Sequence, residues 1–252
     1  MPETPAPVDS HATREALQRA IVEGHKSGGA RALEDSVFGV LDGVITAISL
    51  SVATAGVVRL NHAGVFLTIV AAAVAGALSM FSGALLSGRA KADLIRRERE
   101  REEREVLEKP EEELREMETI YRARGFAPEE IAILLKRLSA DKKLWVDTMM
   151  VDELGLPPRP EAEPLTHAGT IGVYYLIGGV LPALPYLTSW LPVFQELELS
   201  VAIGAAELAA VGLVSSLFSD RSWFKGVVEI LAVGLGTAAA VLLVTLALQP
   251  GL

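Results

Sequence analysis

Five long stretches of this chain consist almost entirely of apolar residues. They cover about residues 36–58, 63–88, 168–187, 199–219 and 226–248, and the second contains no ionisable side chain. A helix needs about 20 predominantly apolar residues to cross the hydrocarbon core of a bilayer. The pattern therefore predicts five membrane-spanning helices, in agreement with a mean hydropathy of +0.36.

The segment between the second and third stretches has the opposite character. Residues 91–165 hold well over half of the 32 acidic residues in the chain, together with many arginines. The second apolar helix is predicted to continue to about residue 107. Pro110, Pro128 and Asp141 are predicted to open three shorter helices, because proline is tolerated in a first turn and aspartate is a good N-cap. An acidic helical module is thus inserted into a membrane protein.

The charges of the loops predict the orientation of the spans. Lysines and arginines outside the apolar stretches collect in the N-terminal segment, in the 91–165 module and in the short loop at Arg221 and Lys225. Positive residues favour the cytoplasmic side, so the module is predicted to be cytoplasmic. The net charge of −9 argues against nucleic acid as a partner, since its phosphates are bound by lysine and arginine. The absence of cysteine excludes disulfides and thiolate metal sites.

The N-terminal segment, residues 1–33, lacks the apolar run and cleavage site of a signal peptide. Leu17 and Ile21 share one face if residues 11–23 are helical, which would make an amphipathic helix that lies on the membrane surface. A partly disordered tail explains the segment equally well.

Asp42 lies deep in the first apolar stretch. A central aspartate costs roughly 2.5–3.5 kcal/mol on insertion scales, and such residues usually face a bundle interior or a wet cavity and carry ions or protons. The alternative is a structural Asp42 that is hydrogen-bonded to a neighbouring helix. The ion-pathway interpretation is favoured.

Small residues flank Asp42 and recur in the second stretch. Two glycines surround Asp42 at a four-residue spacing, and Ser79 and Gly83 repeat that spacing around Met80. Such spacing permits close helix contact, so we expect the first two spans to bring Asp42 and Met80 to one lumen. A carboxylate with a thioether suits a transition metal better than Mg²⁺ or Ca²⁺. A methionine in a span is more often a packing residue, and the pairing with Asp42 is what makes Met80 a candidate.

The remaining ionisable residues of the spans carry less weight. Glu207 and Glu229 would serve either as proton relays or as hydrogen-bond acceptors between helices, and a structural role is favoured for both. The four histidines are scattered, with no pair four residues apart, which excludes a metalloprotease-type zinc site. No P-loop, nucleophile constellation, haem motif or flavin motif is present, so an enzyme is not expected.

Acidic residues and methionines recur at helical spacing within the module. Residues three and four apart share a helix face, so packed helices would bring several carboxylates and two thioethers together, a set that suits Fe²⁺-like ions. Arginines alternate with the acids, so a solvated face of ion pairs is the other interpretation, and spacing alone slightly favours it. The candidate ligands are Glu102, Glu105, Glu113, Glu116, Met149, Met150 and Glu153.

Three parts of the chain resemble the vacuolar iron transporter family, which also includes yeast calcium-sensitivity-complementing and nodulin-like transporters. They are Asp42-Gly43 in the first span, the Ser79-Met80 stretch, and the module segments EREEREVLEKPEEELREMETIYRARGFAPEE and DTMMVDELGL. The resemblance covers about residues 25–250, and the two module segments are its most specific part.

The resemblance implies an all-α integral membrane protein with five transmembrane helices and a cytoplasmic helical metal-binding domain inserted between the second and third. It also implies a homodimer with the ion path between protomers, and proton-coupled export of Fe²⁺, with Mn²⁺ as a second ion, from the cytosol. Asp42 and Met80 match the translocation path. The seven candidate ligands match the metal-binding domain, where Zn²⁺ is a further expected ion. Membrane lipid, metal and protons are the expected partners, and no resident cofactor is expected.

One position departs from the family pattern. Family members usually have Gly-Glu shortly after the second-span methionine, whereas this chain has Ser82-Gly83-Ala84-Leu85. A carboxylate that would bind metal or a proton is missing, and Glu207 is a conceivable substitute. A membrane-anchored metal-binding or sensing protein that no longer transports is therefore the alternative function, and a purely structural membrane protein is a third.

The predicted organisation has four parts. A cytoplasmic N-terminal segment occupies residues 1–33, transmembrane helices 1–2 occupy 34–90, the cytoplasmic metal-binding domain occupies 91–165, and transmembrane helices 3–5 occupy 166–252. The expected membrane is a bacterial plasma membrane, because the chain is compact and lacks an organelle signal. A vacuolar membrane is the alternative.

Overall fold

The structure, a computed structural model, describes residues 10–160, 163–188, 190–218 and 222–248, with side chains from residue 31 onward. Every regular element within these ranges is helical. The chain forms two compact units. We call them the membrane unit (Met1–Gly83 with His167–Leu252) and the inserted unit (Ala84–Thr166).

Five helices are long and apolar enough to cross a bilayer, which confirms the predicted number of spans. The first helix of the described residues also runs through residues 11–23, whose side chains lie outside the described residues. The five helices are α1 (Ser10–Ser51, continued by a π-helix, Val52–Val58), α2 (His62–Glu108), α6 (Pro164–Val180, continued by a 3₁₀ helix, Leu181–Leu187), α7 (Val193–Phe218) and α8 (Trp223–Leu248).

The turn between α1 and α2 closes the π-helix at its C-terminal end. Arg59 has a left-handed backbone (φ 58°), and the backbone N–H of Leu60 donates to the carbonyl of Thr54 at 3.0 Å. The next helix then begins at His62. This short turn holds the beginning of α2 close to the end of α1.

Glycines of α1 make very close helix contacts in the membrane unit. A Cβ on Gly39 would lie 2.5 Å from the carbonyl oxygen of Ile171 in α6, and a Cβ on Gly43 would overlap the carbonyl of Tyr175. Gly178 of α6 repeats this contact against Val40. The small residues around Asp42 therefore pack α1 against α6.

The expectation that the glycines around Asp42 pack α1 against α2 is wrong, because these glycines contact α6. The two helices do meet elsewhere, where Ala47 of α1 packs with Val65 of α2.

The side chain of Tyr175, from α6, lies against Gly76 of α2, and its hydroxyl lies 3.2 Å from the hydroxyl oxygen of Thr46 in α1. A Cβ on Gly83 would meet no atom within 4 Å. Helix α6 thus contacts both α1 and α2. The glycines of α1 make room for α6, which is distant in sequence, and not for the neighbouring α2.

Three short helices complete the inserted unit with the polar end of α2. They are α3 (Pro110–Ala123), α4 (Pro128–Ser139) and α5 (Lys142–Asp152). The predicted starts at Pro110 and Pro128 are confirmed, and Asp141 is the N-cap of α5, its Oδ1 accepting from the N–H groups of Lys143 and Leu144. Gly125, with φ of +91°, follows α3.

The inserted unit has its own apolar core. Met117 from α3, Ile131 from α4, and Trp145, Met149 and Met150 from α5 are all buried in one cluster. Removing such side chains from water is the main favourable term in packing helices. This core brings α2, α3 and α5 close enough for their polar side chains to meet.

Candidate metal centre

Three glutamates of the inserted unit converge on one point. Glu102 comes from α2, Glu113 from the first turn of α3, and Glu153 from the C-cap of α5. One carboxylate oxygen of each lies within 4.8 Å of the others. Glu102 is 1% exposed and Glu113 is 4% exposed. For these three residues the structure favours convergence over a solvated charged face.

Burial and mutual repulsion raise the pKa values of this cluster. Burial, followed by the charges of Glu153 and Glu113, raises the pKa of Glu102 to about 7. Burial, followed by Glu116 and Glu105, raises the pKa of Glu113 to about 7. Burial and then Glu116 also raise the pKa of Glu153. Carboxylates in such an environment are stabilised by protons or by a cation.

Several carboxylate oxygens of the cluster lack hydrogen-bond partners in the part of the chain that the structure describes. Among the described residues, neither carboxylate oxygen of Glu102 has a hydrogen-bond partner, and Oε2 of Glu153 has none. Buried polar atoms are nearly always paired, so orphaned ones call for an explanation such as an ion. Carboxylate ligands suit divalent cations in general, among them Mg²⁺, Ca²⁺ and Mn²⁺.

Two further predicted ligands, Glu105 and Glu116, flank the cluster. The charge of Glu105 contributes to the raised pKa values of all three central glutamates, although its Oε2 also accepts from Arg101 Nε at 3.0 Å. Glu116 is exposed and lines, with Glu153, a cavity of about 370 Å³. Of the three clustered glutamates, Glu153 is the one that lines this cavity.

The predicted thioether ligands are core residues. Met149 and Met150 are fully buried and belong to the apolar cluster that contains Met117 and Trp145. This placement accounts for both side chains by packing, and metal ligation by them stays a prediction.

An ion pair fixes α5 to α2 beside the centre. Arg99 of α2 pairs with Asp147 of α5, with Nη1 and Oδ1 2.5 Å apart. The same nitrogen donates to the carbonyl of Pro158 at 2.9 Å. A guanidinium that binds two partners from different segments restricts how those segments shift.

A second link fixes α5 to α3. The hydroxyl of Tyr121 donates to Oδ2 of Asp152 at 2.6 Å, and Arg124 Nη1 donates to Oδ1 at 2.7 Å. Asp152 immediately precedes Glu153 in the chain. The two links therefore hold the three glutamates at short range despite their repulsion.

The predicted pathway residues lie in the region where α6 packs against α1 and α2. Asp42 is half-buried and lies between Gly39 and Gly43, the two glycines in contact with α6. Met80 is half-buried and lies between Ala77 and Phe81, which contact Gly172 of α6. Their joint role in a lumen stays a prediction.

Two histidine–carboxylate pairs in the membrane unit were missed by sequence analysis. His167 Nδ1 lies 2.6 Å from Asp35 Oδ2, and His62 Nδ1 lies 2.6 Å from Glu196 Oε2. The partners are 132 and 134 residues apart, so no local spacing reveals them. The sequence offered one signal for the His62–Glu196 pair: the predicted orientation places loops 59–62 and 188–198 on the same side of the membrane.

The fold defines a helical membrane protein with an inserted acidic unit. The chain matches the model of the VIT family over residues 33–246, and it belongs to that family. It is 30% identical over 227 residues to a vacuolar iron transporter 1 of Eucalyptus grandis, covering 88% of this chain and 90% of the relative.

Two further relatives are similar to this chain. A vacuolar iron transporter 2 of Oryza sativa subsp. japonica is 31% identical over 231 residues, covering 90% of this chain and 93% of the relative. The protein CCC1 of Saccharomyces cerevisiae is 31% identical over 159 residues, covering 62% of this chain and 48% of the relative.

Proposed function

We propose that this protein exports Fe²⁺, with Mn²⁺ as a second substrate ion, from the cytosol in exchange for protons. The observation that carries the proposal is the convergence of the buried Glu102 and Glu113 with the half-buried Glu153. It is supported by relatives named vacuolar iron transporters. Metal is the substrate here, and no catalysed covalent reaction is involved.

Capture of the ion is the first step. The ion enters at the cavity beside Glu116 and Glu153 and displaces protons from the glutamate cluster, because a carboxylate must be deprotonated to bind metal. Glu105 and Glu116 add negative charge, and Met149 and Met150 complete the proposed ligand set after a local rearrangement. The same site is expected to bind Zn²⁺. The affinity of a given site for first-row divalent metals is generally at least as high for Zn²⁺ as for Fe²⁺, so affinity alone does not exclude Zn²⁺.

Translocation is the second step. Asp42 neutralises the cation inside the bilayer, where an ion without a counter-charge is very costly, and Met80 supplies a soft ligand. The proposed path lies between two protomers of a homodimer. Protonation of pathway carboxylates after release couples the cycle to a proton gradient.

The proposed membrane is a vacuolar one. The bacterial plasma membrane expected from the sequence finds no support among the relatives, whose names point to the vacuole. The cytoplasmic side of the inserted unit follows from the loop charges.

Flux into proteoliposomes under an imposed pH gradient tests the proposal. Asp42→Ala and the isosteric Asp42→Asn are expected to abolish Fe²⁺ flux, because either change removes the counter-charge in the bilayer. Asp93→Asn, which alters an exposed carboxylate of α2, is the matched control and retains flux. Undiminished flux in a folded Asp42→Asn protein would contradict the mechanism.

A second candidate is a metal-binding membrane protein without transport. The observation that favours it is Ala84, where family members usually carry a glutamate. Under the leading proposal Glu207 compensates; it is half-buried within α7, and its Oε2 has no hydrogen-bond partner among the described residues. Saturable Fe²⁺ binding by the wild type without any gradient-dependent flux would favour the second candidate.

A further inference from the structure

The His62–Glu196 pair lies at one end of the membrane unit, where α2 and α7 begin. Glu196 is fully buried, whereas the side chain of His62 is 29% exposed. His62 lines a cavity of about 310 Å³ together with Asn61, Phe66 and Tyr186. An imidazole thus faces open space on one side and a buried carboxylate on the other.

The hydrogen bond selects one tautomer of the imidazole. A carboxylate can only accept, so His62 Nδ1 carries the proton that it donates to Glu196 Oε2. In the neutral ring, Nε2 is then left with a free lone pair. Histidines that ligate metals nearly always donate their other ring N–H to a carboxylate, carbonyl or water, which fixes the ring and raises its basicity.

The carboxylate of Glu196 can accept more hydrogen bonds than the one from His62. Its Oε1 is buried and has no partner among the described residues. One turn further along α7, the hydroxyl of Ser200 is bonded to that of Ser51 at 2.9 Å. The buried hydroxyl of Tyr186, which lines the same cavity as His62, also has no partner among the described residues. A buried acceptor left unpaired is costly, which argues that Glu196 does more than connect α2 to α7.

We propose that His62 is a ligand for the transported transition metal at the non-cytoplasmic end of the membrane unit. His62 Nε2 coordinates the ion in the cavity, and Glu196 is a positioning residue that also supplies negative charge. The ion keeps several water ligands, which the cavity can accommodate. The inference rests on the proposed function for the identity of the ion and on the loop charges for the side of the membrane.

Chemical footprinting of the full-length protein tests the site without measuring transport. Diethyl pyrocarbonate modifies a free imidazole nitrogen, and peptide mass spectrometry reports the rate at His62 under anaerobic conditions. Added Fe²⁺ is expected to slow modification of His62 to a saturable plateau. Mg²⁺ should leave the rate unchanged, because imidazole suits Fe²⁺ and not Mg²⁺.

Two variants separate ligation from structure. Glu196→Gln is expected to raise the Fe²⁺ concentration for half-protection by about 10–100-fold, the usual effect of losing such a carboxylate. Glu198→Gln removes the same charge from an exposed position of α7 and should leave half-protection unchanged. Should Glu196→Gln fail to fold, the comparison of Fe²⁺ with Mg²⁺ on the wild type still decides the question.

An unchanged modification rate with Fe²⁺, or equal protection by Mg²⁺, would overturn the proposed site. Flux in proteoliposomes distinguishes this failure from that of the proposed function. Protection of His62 without flux leaves the site standing and removes the transport proposal. Flux with an unprotected His62 leaves the transport proposal standing and removes the proposed site.

Discussion

At the scale of single residues, Glu102 has the least usual environment among the candidate ligands. It is almost fully buried, it faces Glu113 and Glu153, and both of its oxygens lack partners among the described residues. Without metal, it can relieve repulsion by holding a proton. With metal, the same repulsion becomes attraction to the ion. One side chain thereby links proton binding to metal binding.

Stability of the metal-free protein is expected to depend on pH through Glu102. Its pKa is about 7 in the folded protein against 4.5 ordinarily, so the folded state binds the proton more tightly than the unfolded state. Stability therefore falls as the pH rises from about 4.5 through 7. Glu102→Gln should flatten this fall and raise the unfolding temperature at pH 8, as measured by thermal unfolding in the presence of a chelator.

The control for this prediction is Glu108→Gln, which changes an exposed carboxylate at the end of α2. It should leave the pH profile of unfolding unchanged. A Glu102→Gln profile identical to that of the wild type would show that Glu102 is not protonated in the metal-free protein.

At the scale of elements, the contact between α1 and α6 depends on the absence of side chains. Gly43 lies against the carbonyl of Tyr175. A Cβ added to Gly43 would also lie 2.9 Å from the backbone nitrogen of Gly179. Backbone atoms cannot rotate out of the way as a side chain can. Asp42 immediately precedes Gly43 in the chain.

Gly43→Ala is expected to lower the unfolding temperature of the protein in detergent. Overpacking costs typically about 1–3 kcal/mol, and here the clash is with backbone. Gly83→Ala is the matched control, because a Cβ there meets no atom within 4 Å. It should stabilise the helix by up to about 1 kcal/mol, the usual gain of alanine over glycine. Equal effects of the two substitutions would show that α1 and α6 are not in close contact.

At the scale of the whole molecule, capture and translocation are assigned to different units. The glutamate cluster belongs to the inserted unit, and Asp42 and Met80 belong to the membrane unit. Under the proposed function, the first unit determines the metal concentration at which transport begins and the second determines how fast it can proceed.

This division predicts separable kinetic effects. Glu102→Gln combined with Glu113→Gln should raise the Fe²⁺ concentration for half-maximal flux by roughly tenfold or more, corresponding to at least about 1.4 kcal/mol of lost binding free energy. Maximal flux should change little, whereas Asp42→Asn removes it. Initial rates over a range of Fe²⁺ concentrations measure both quantities. A loss of maximal flux in the double variant at saturating metal would contradict the division.

The sequence alone determined the helical class and most element boundaries. Runs of apolar residues fix membrane spans because the bilayer imposes a length, and Pro110, Pro128 and Asp141 fix helix starts because capping is a local effect. The regular spacing of glutamates also identified Glu102, Glu113 and Glu153 as candidates. Their convergence was left open, because spacing on one helix does not reveal which helices pack together.

Only the tertiary structure decided the contacts between distant segments. It assigned the small residues of α1 to α6, where the sequence had suggested α2, and it placed Met149 and Met150 in an apolar core. It also paired His62 with Glu196 across 134 positions of the chain. The physical reason is common to all three: periodicity states which face of a helix is buried, but the partner of that face is chosen by packing over the whole fold.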